Sequence, residues 1–136
     1  EFNLQQDLHA SRLVFNSGVP LIQIPCQAVA SHLLTTVPEL EALVAGRGAI
    51  GDYLVEIFKD YSDTHYAWSK VIWDIAAPGW LLDASWVPSK LVHSPIITDQ
   101  FTYSVDHSRP IVRVATAVNR DAIFRDLFRK IEAQAR

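Results

Sequence analysis

DLHASRLVFNSGVPLIQIPC, residues 7–26, is the stretch whose reading decides the fold class. Asp7 carries a short acceptor side chain suited to capping a helix N-terminus, and Leu8, Arg12 and Phe15 begin a helical period behind it. Gly18 and Pro20 end that period, since glycine tolerates the left-handed turn and proline cannot donate the next backbone hydrogen bond. Val19 to Ile24 then reads as a short buried strand between Pro20 and Pro25. A helix that delivers the chain into a core strand is α/β grammar.

Downstream, Thr36-Val37-Pro38-Glu39 fits a capping box with proline in the first turn, which predicts a helix that stops at Gly46. A second helix over 49–61 places Ile50, Leu54, Ile57 and Phe58 on one face. After the polar and aromatic loop YSDTHYAWS (61–69), a third helix is expected over 71–82, kinked or broken at Pro78-Gly79. SPIITDQFTYSVD (94–106) and RPIVRVATAV (109–118) are rich in β-branched and aromatic residues. They read as two adjacent antiparallel strands with DHSRP (106–110) as the turn. Asn119 caps a final helix in which Ile123, Leu127 and Ile131 repeat every fourth residue, with Phe124 and Phe128 alongside. The chain holds no repeat or linker. It reads as one α/β piece, helix-rich in the middle.

A chain of 136 residues, 49% of them apolar, can bury the core of a single domain. The net charge of −3, with C-terminal basic residues interleaved with acids, argues against a nucleic-acid footprint. No apolar run approaches the ~20 residues of a membrane span, and EFNLQQD is not a signal peptide. Cys26 is the only cysteine, so no disulfide framework or CxxC metal site is available, and it reads as a buried structural thiol. One cysteine fits either redox environment, which leaves the compartment open.

Several motifs need structural context. Gly46-Arg47-Gly48-Ala49-Ile50-Gly51 matches G-x-G-x-x-G in letters. A dinucleotide site requires that loop to follow a strand, with an acid on the next strand about 20 residues later. Here it follows the helical PELEALVA and the later position holds SKVIW, so it reads as a helix-to-helix turn. No Gly-x-Ser-x-Gly elbow is present and Cys26 has no histidine nearby in sequence, which leaves covalent catalysis little support. The histidines at 9, 32, 65, 93 and 107 show no HxH or HxxxH zinc spacing. His65, with Tyr61, Tyr66 and Trp68 near it, is either part of a loop packing its own aromatics or a wall for a planar ligand. In SKVIWDI (69–75), Asp74 stands among Ile72, Trp73 and Ile75. Three readings stay open for it: a helix cap, an acid that reaches solvent, or a metal or substrate ligand at a pocket floor.

Three stretches, in order, resemble the C-terminal half of the inosine–uridine-preferring nucleoside hydrolase family. EFNLQQDLHASRLVFNSGVPL is similar to the family's ribose-contacting Glu-x-Asn turn with its next helix and strand. SKVIWDIAAPGWLL resembles the segment where the family has His-Asp at the start of a core helix. The close, PIITDQFTYSVD through VNRDAIFRDLFRKI, resembles the final strand pair and last helix. The resemblance implies an α/β fold with a mixed central sheet flanked by helices. It also implies an N-glycosidase acting on ribonucleosides, in which Ca²⁺ binds the ribose diol and a water and an aspartate takes that water's proton. Nearby carboxylates would then stabilise an oxocarbenium-like transition state. By position, Asp74 becomes a Ca²⁺ and ribose ligand, while Glu1 and Asn3 hydrogen-bond the ribose, Asn3 toward its 5′ end.

Two departures bear on the chemistry. Trp73 stands where many members carry a histidine that protonates the departing base, and indole cannot act as a general acid at neutral pH. Leaving-group activation then falls to His65 or Tyr66, or to a base that leaves readily, and Trp73 becomes a substrate contact. The family's Asp-rich calcium loop, which holds its general base, has no counterpart here. A fragment of a longer enzyme or a truncated gene product is therefore expected, inactive alone, with an uncovered sheet edge. Its expected partner is the missing N-terminal half or a second copy, and the alternative function is a non-catalytic ribose- or nucleoside-binding relative.

Overall fold

The computed structural model describes residues 2–134. Asp7 accepts a hydrogen bond from the Ala10 backbone N–H at 2.8 Å and caps helix α2, Leu8–Asn16, as the sequence predicts. Ahead of it, Phe2–Gln6 forms a short helix, α1, in place of the turn suggested by the resemblance. The chain then enters β1, reduced to Ile22–Gln23. This strand is not buried, a correction to the sequence reading. It pairs on one side only, which makes it an edge.

The central sheet is mixed, in the order β1-β7-β4, with β4 at Ser89–His93 and β7 at Ile111–Ala115. β1 runs parallel to β7, with Ile22 opposite Arg113, and β4 runs antiparallel to it, from Ser89 opposite Ala115 to His93 opposite Ile111. The antiparallel partner of 109–118 is therefore 89–93, not 94–106. The latter stretch folds on itself as β5 (Ile96–Ile97) against β6 (Tyr103–Ser104). A separate antiparallel pair joins β2 (Leu34–Thr35) to β3 (Lys70–Val71).

Helices α3 (Val37–Leu43), α4 (Ala49–Lys59), α5 (Ala76–Leu82) and α6 (Arg120–Gln134) flank these strands. Thr36 caps α3 by accepting from the Glu39 N–H at 3.3 Å, but the Glu39 carboxylate accepts from Thr35 and Arg120 instead of closing the box. Between α3 and α4 lies the glycine-rich turn. Gly48 caps α4 at φ +87°, a conformation open to glycine, and a Cβ on Gly51 would sit 2.6 Å from the Val44 carbonyl oxygen. The G-x-G-x-x-G letters thus serve a tight helix-helix approach.

The core gathers Leu33, Val44, Phe58, Ala76, Val87 and Phe124 between these layers. On α4 the buried face is Gly51, Val55 and Phe58, whereas Ile50 is 75% exposed and Leu54 faces outward, so the predicted face is rotated. The expected helix over 71–82 begins only at Ala76, and Pro78 falls within its first turn, where a missing N–H costs nothing. The Asn119 side chain accepts from the Ala122 N–H at 3.1 Å and caps α6, with Ile123, Phe124 and Phe128 buried. Among the described residues no helix is long and apolar enough to cross a membrane.

Candidate functional site

The local fold of 69–75 decides how Asp74 is presented. β3 ends at Val71, and the Ile72 N–H donates to the Leu33 carbonyl at 2.9 Å. Trp73–Ile75 then forms a single 3₁₀ turn. Residues three apart eclipse one another in such a turn, so Ile72 and Ile75 both pack on the core and the two residues between them turn outward. Trp73, 38% exposed, and Asp74, also exposed, are thereby presented together. The apolar neighbours anchor the turn and the acid faces out.

That outward pair lines a cavity of about 420 Å³ with Phe2, Asn3, Cys26 and Gln27. α1 supplies Phe2 and Asn3, while Cys26 and Gln27 follow the C-terminal end of β1. The turn after β1 is held by the Ala30 N–H on the Pro25 carbonyl at 3.0 Å and the Ser31 N–H on the Cys26 carbonyl at 2.9 Å. Ala28 takes φ +64° within it. Cys26–Gln27 thus lie just beyond the C-terminal end of β1 in the central sheet, where open α/β sheets place their ligand crevices, while Trp73–Asp74 follow β3 of the separate two-stranded pair. Cys26 is half-buried and lines this cavity, a correction to its reading as a buried thiol.

Of the residues singled out in the sequence, Asn3, Trp73 and Asp74 come together here. Glu1 lies outside the described residues. His65 and Tyr66 do not line this cavity. The His65 Nε2 lies 3.0 Å from the Lys59 carbonyl and its ring stands 5.5 Å from Trp68, behind α4, while Tyr66 is 93% exposed. Tyr61 receives the Lys70 ammonium over its ring at 3.4 Å. Within the aromatic loop His65 packs on Trp68, which meets Phe58 of α4 edge-on, while Tyr66 stands in solvent. Phe2 and Gln27 escaped the sequence reading because they carry no motif, Cys26 reads from sequence only as a structural thiol, and the tertiary fold alone brings all three to the cavity with Asp74.

The cavity offers Asp74 as its one carboxylate among the described residues, with the Asn3 and Gln27 amide oxygens as further acceptors. Ca²⁺ takes about six to eight oxygens. No group of three or more His, Cys, Asp or Glu among the described residues could hold a metal ion. The donor set does not fit Ca²⁺ unaided. What it can do is bind: Trp73 and Phe2 present apolar ring surface, and Asp74, Asn3 and Gln27 present polar groups matched to hydroxyls.

The sequence matches no protein-family profile and no curated protein. Solved structures do match it. One is the purine-preferring ribonucleoside hydrolase from Gardnerella vaginalis, with a TM-score of 0.77 and 17% sequence identity. The alignment covers 99% of this chain and 46% of that one, so the chain spans less than half the length of its structural neighbour. At this identity the likeness speaks for the fold: a mixed sheet flanked by helices, as in the C-terminal part of a ribonucleoside hydrolase.

Proposed function

We propose that this chain forms the ribose- and base-facing floor of the site in a nucleoside hydrolase that cleaves the N-glycosidic bond, and that alone it binds a nucleoside without cleaving it. What supports this reading is the convergence of Asn3, Trp73 and Asp74 on one cavity within this fold. Asp74 accepts hydrogen bonds from the ribose hydroxyls, and Asn3 contacts the sugar toward its 5′ end; the ribose role of Glu1 rests on the family resemblance alone. Trp73 stacks on the base, and a bicyclic purine covers indole better than a pyrimidine does, in keeping with the purine preference of the Gardnerella vaginalis hydrolase. Asp74 becomes a Ca²⁺ ligand only when another segment supplies the remaining oxygens. No hydrolytic step is assigned to these residues. The completing partner is an N-terminal half or a second copy.

A second reading, a non-catalytic nucleoside-binding relative, draws on Trp73, which cannot protonate a departing base. Calorimetric titration of inosine and adenosine into the pure chain, with and without Ca²⁺, tests the common core of both. Trp73→Ala and Asp74→Asn should each weaken binding about tenfold. Equal affinity in all three proteins would remove the site, and calcium-dependent ribose release from the pure chain would overturn its inactivity. Supplying the N-terminal half of a nucleoside hydrolase separates the readings: turnover favours the enzyme, binding alone the relative.

A further inference from the structure

The turn after β1 mounts Gln27 on the same unit as Trp73. Ala30–His32 forms a short 3₁₀ turn that packs against the 3₁₀ turn Trp73–Ile75, and the Ile72 N–H on the Leu33 carbonyl at 2.9 Å ties the two segments together. Between β1 and that first turn, Ala28 stands at φ +64°, bracketed by the Ala30 N–H on the Pro25 carbonyl and the Ser31 N–H on the Cys26 carbonyl. An alanine at positive φ is strained, and it persists only where the surroundings fix the backbone. Gln27 precedes Ala28 in this braced turn, is exposed, and lines the cavity beside Trp73. An indole face and an amide are thus carried by one pair of tied turns, while Asn3 arrives separately on α1.

We infer that Gln27 reads the edge of the base and selects purine nucleosides that carry an amino or oxo group at the 6-position. The inference rests on the nucleoside-binding reading of this cavity. With Asp74 and Asn3 on the ribose and Trp73 against the ring face, Gln27 is the remaining side-chain amide of the cavity among the described residues. A glutamine amide presents an acceptor and a donor side by side, which matches a purine's 6-substituent and a neighbouring ring nitrogen. A 6-aminopurine offers an N–H donor beside an acceptor nitrogen. A 6-oxopurine offers a carbonyl acceptor beside a ring N–H. The amide pairs with either by turning over about its terminal torsion, which is broad and roughly two-fold. Such a contact uses one N–H and one oxygen lone pair, and leaves the other of each for the protein. A purine with no 6-substituent can make only one of the two bonds, and the unpaired half of the amide then weighs against it.

The test titrates adenosine, inosine and purine riboside, which lacks the 6-substituent, into the full chain by calorimetry. The series is repeated with Gln27→Leu, whose fold is checked by circular dichroism, and with Asp74→Asn. The wild type should bind adenosine and inosine about tenfold more tightly than purine riboside. Gln27→Leu should weaken the first two and bring that ratio close to one. A merely structural role for Gln27 would lower all three affinities together and leave the ratio intact. Equal affinity for the three nucleosides in the wild type, or a ratio that survives in folded Gln27→Leu, overturns the inference. Asp74→Asn separates the two levels of the argument. If it weakens all three nucleosides and no 6-substituent preference exists, only the role of Gln27 falls; if none of the three binds the wild type, the nucleoside-binding reading falls with it.

Discussion

Asp74 shows how a single residue's role depends on a turn only three residues long. The carboxylate sits in the most apolar part of the chain because the 3₁₀ turn sends Ile72 and Ile75 inward and leaves Trp73 and Asp74 to face the cavity. Gly51 is a residue-scale constraint of another kind. A methyl group there would lie 2.6 Å from the Val44 carbonyl oxygen, backbone that cannot yield without moving α3 from α4. Gly51→Ala should therefore destabilise the chain by about 1–3 kcal/mol despite alanine's better helix propensity, read as a lower urea midpoint with unchanged slope. A stabilised variant would mean that the two helices separate at little cost. Glycine in this motif is a packing requirement, and phosphate binding is not needed to explain it.

Among the elements, the capped starts of α2, α3 and α6 were legible, while the start of α5 and the strand pairings were not. Asp7, Thr36 and Asn119 each cap the helix they precede, because a capping bond joins residues three apart and needs no tertiary partner. β4 went unforeseen, since SKLVH alternates too weakly to stand out, and its pairing with β7 joins segments that share no local cue. The turn between β6 and β7 is set by Asp106, whose carboxylate accepts from the Ser108 hydroxyl at 2.7 Å and its backbone N–H at 2.8 Å. Those bonds lower its pKa below the usual 3.8. A lowered native pKa adds stability above 3.8 that is lost as pH falls through the native value. Asp106→Asn should therefore cost stability at neutral pH, and its difference from wild type should shrink below pH 3.8, followed by denaturant unfolding across an acid series. A difference that grows with acidity would reverse this assignment.

At the scale of the whole molecule, the sheet leaves apolar surface open. Ile22, Leu91 and Ile111 share one face by register, with Arg113 between Ile22 and Leu91 and His93 opposite Ile111, and Leu91 is 61% exposed. Both outer strands, β1 and β4, pair on one side only. Open edges and exposed apolar faces promote association. Sedimentation velocity over a concentration series should show species above the 15.3 kDa monomer, and Leu91→Glu should shift the population back toward monomer. A monodisperse wild-type monomer at every concentration would count against association through this face. With an N-terminal half of a nucleoside hydrolase present, the same variant should lower complex formation only if the sheet face takes part in it.

The sequence alone determined what is local: the capped helices α2, α3 and α6, the helix-to-helix role of the glycine turn, and the α/β class. Through the order of three stretches it also singled out Glu1, Asn3, Trp73 and Asp74, with His65 and Tyr66 as leaving-group candidates, and of these Asn3, Trp73 and Asp74 line one cavity. Tertiary structure decided the rest. Which face of α4 is buried depends on the short turn into α3, since the apolar residues on that helix surround more than one side. The β1-β7-β4 order and the meeting of α1 with the 3₁₀ turn at Trp73 depend on contacts between distant segments. Such contacts are fixed by the packing of the whole core, and no local periodicity encodes them.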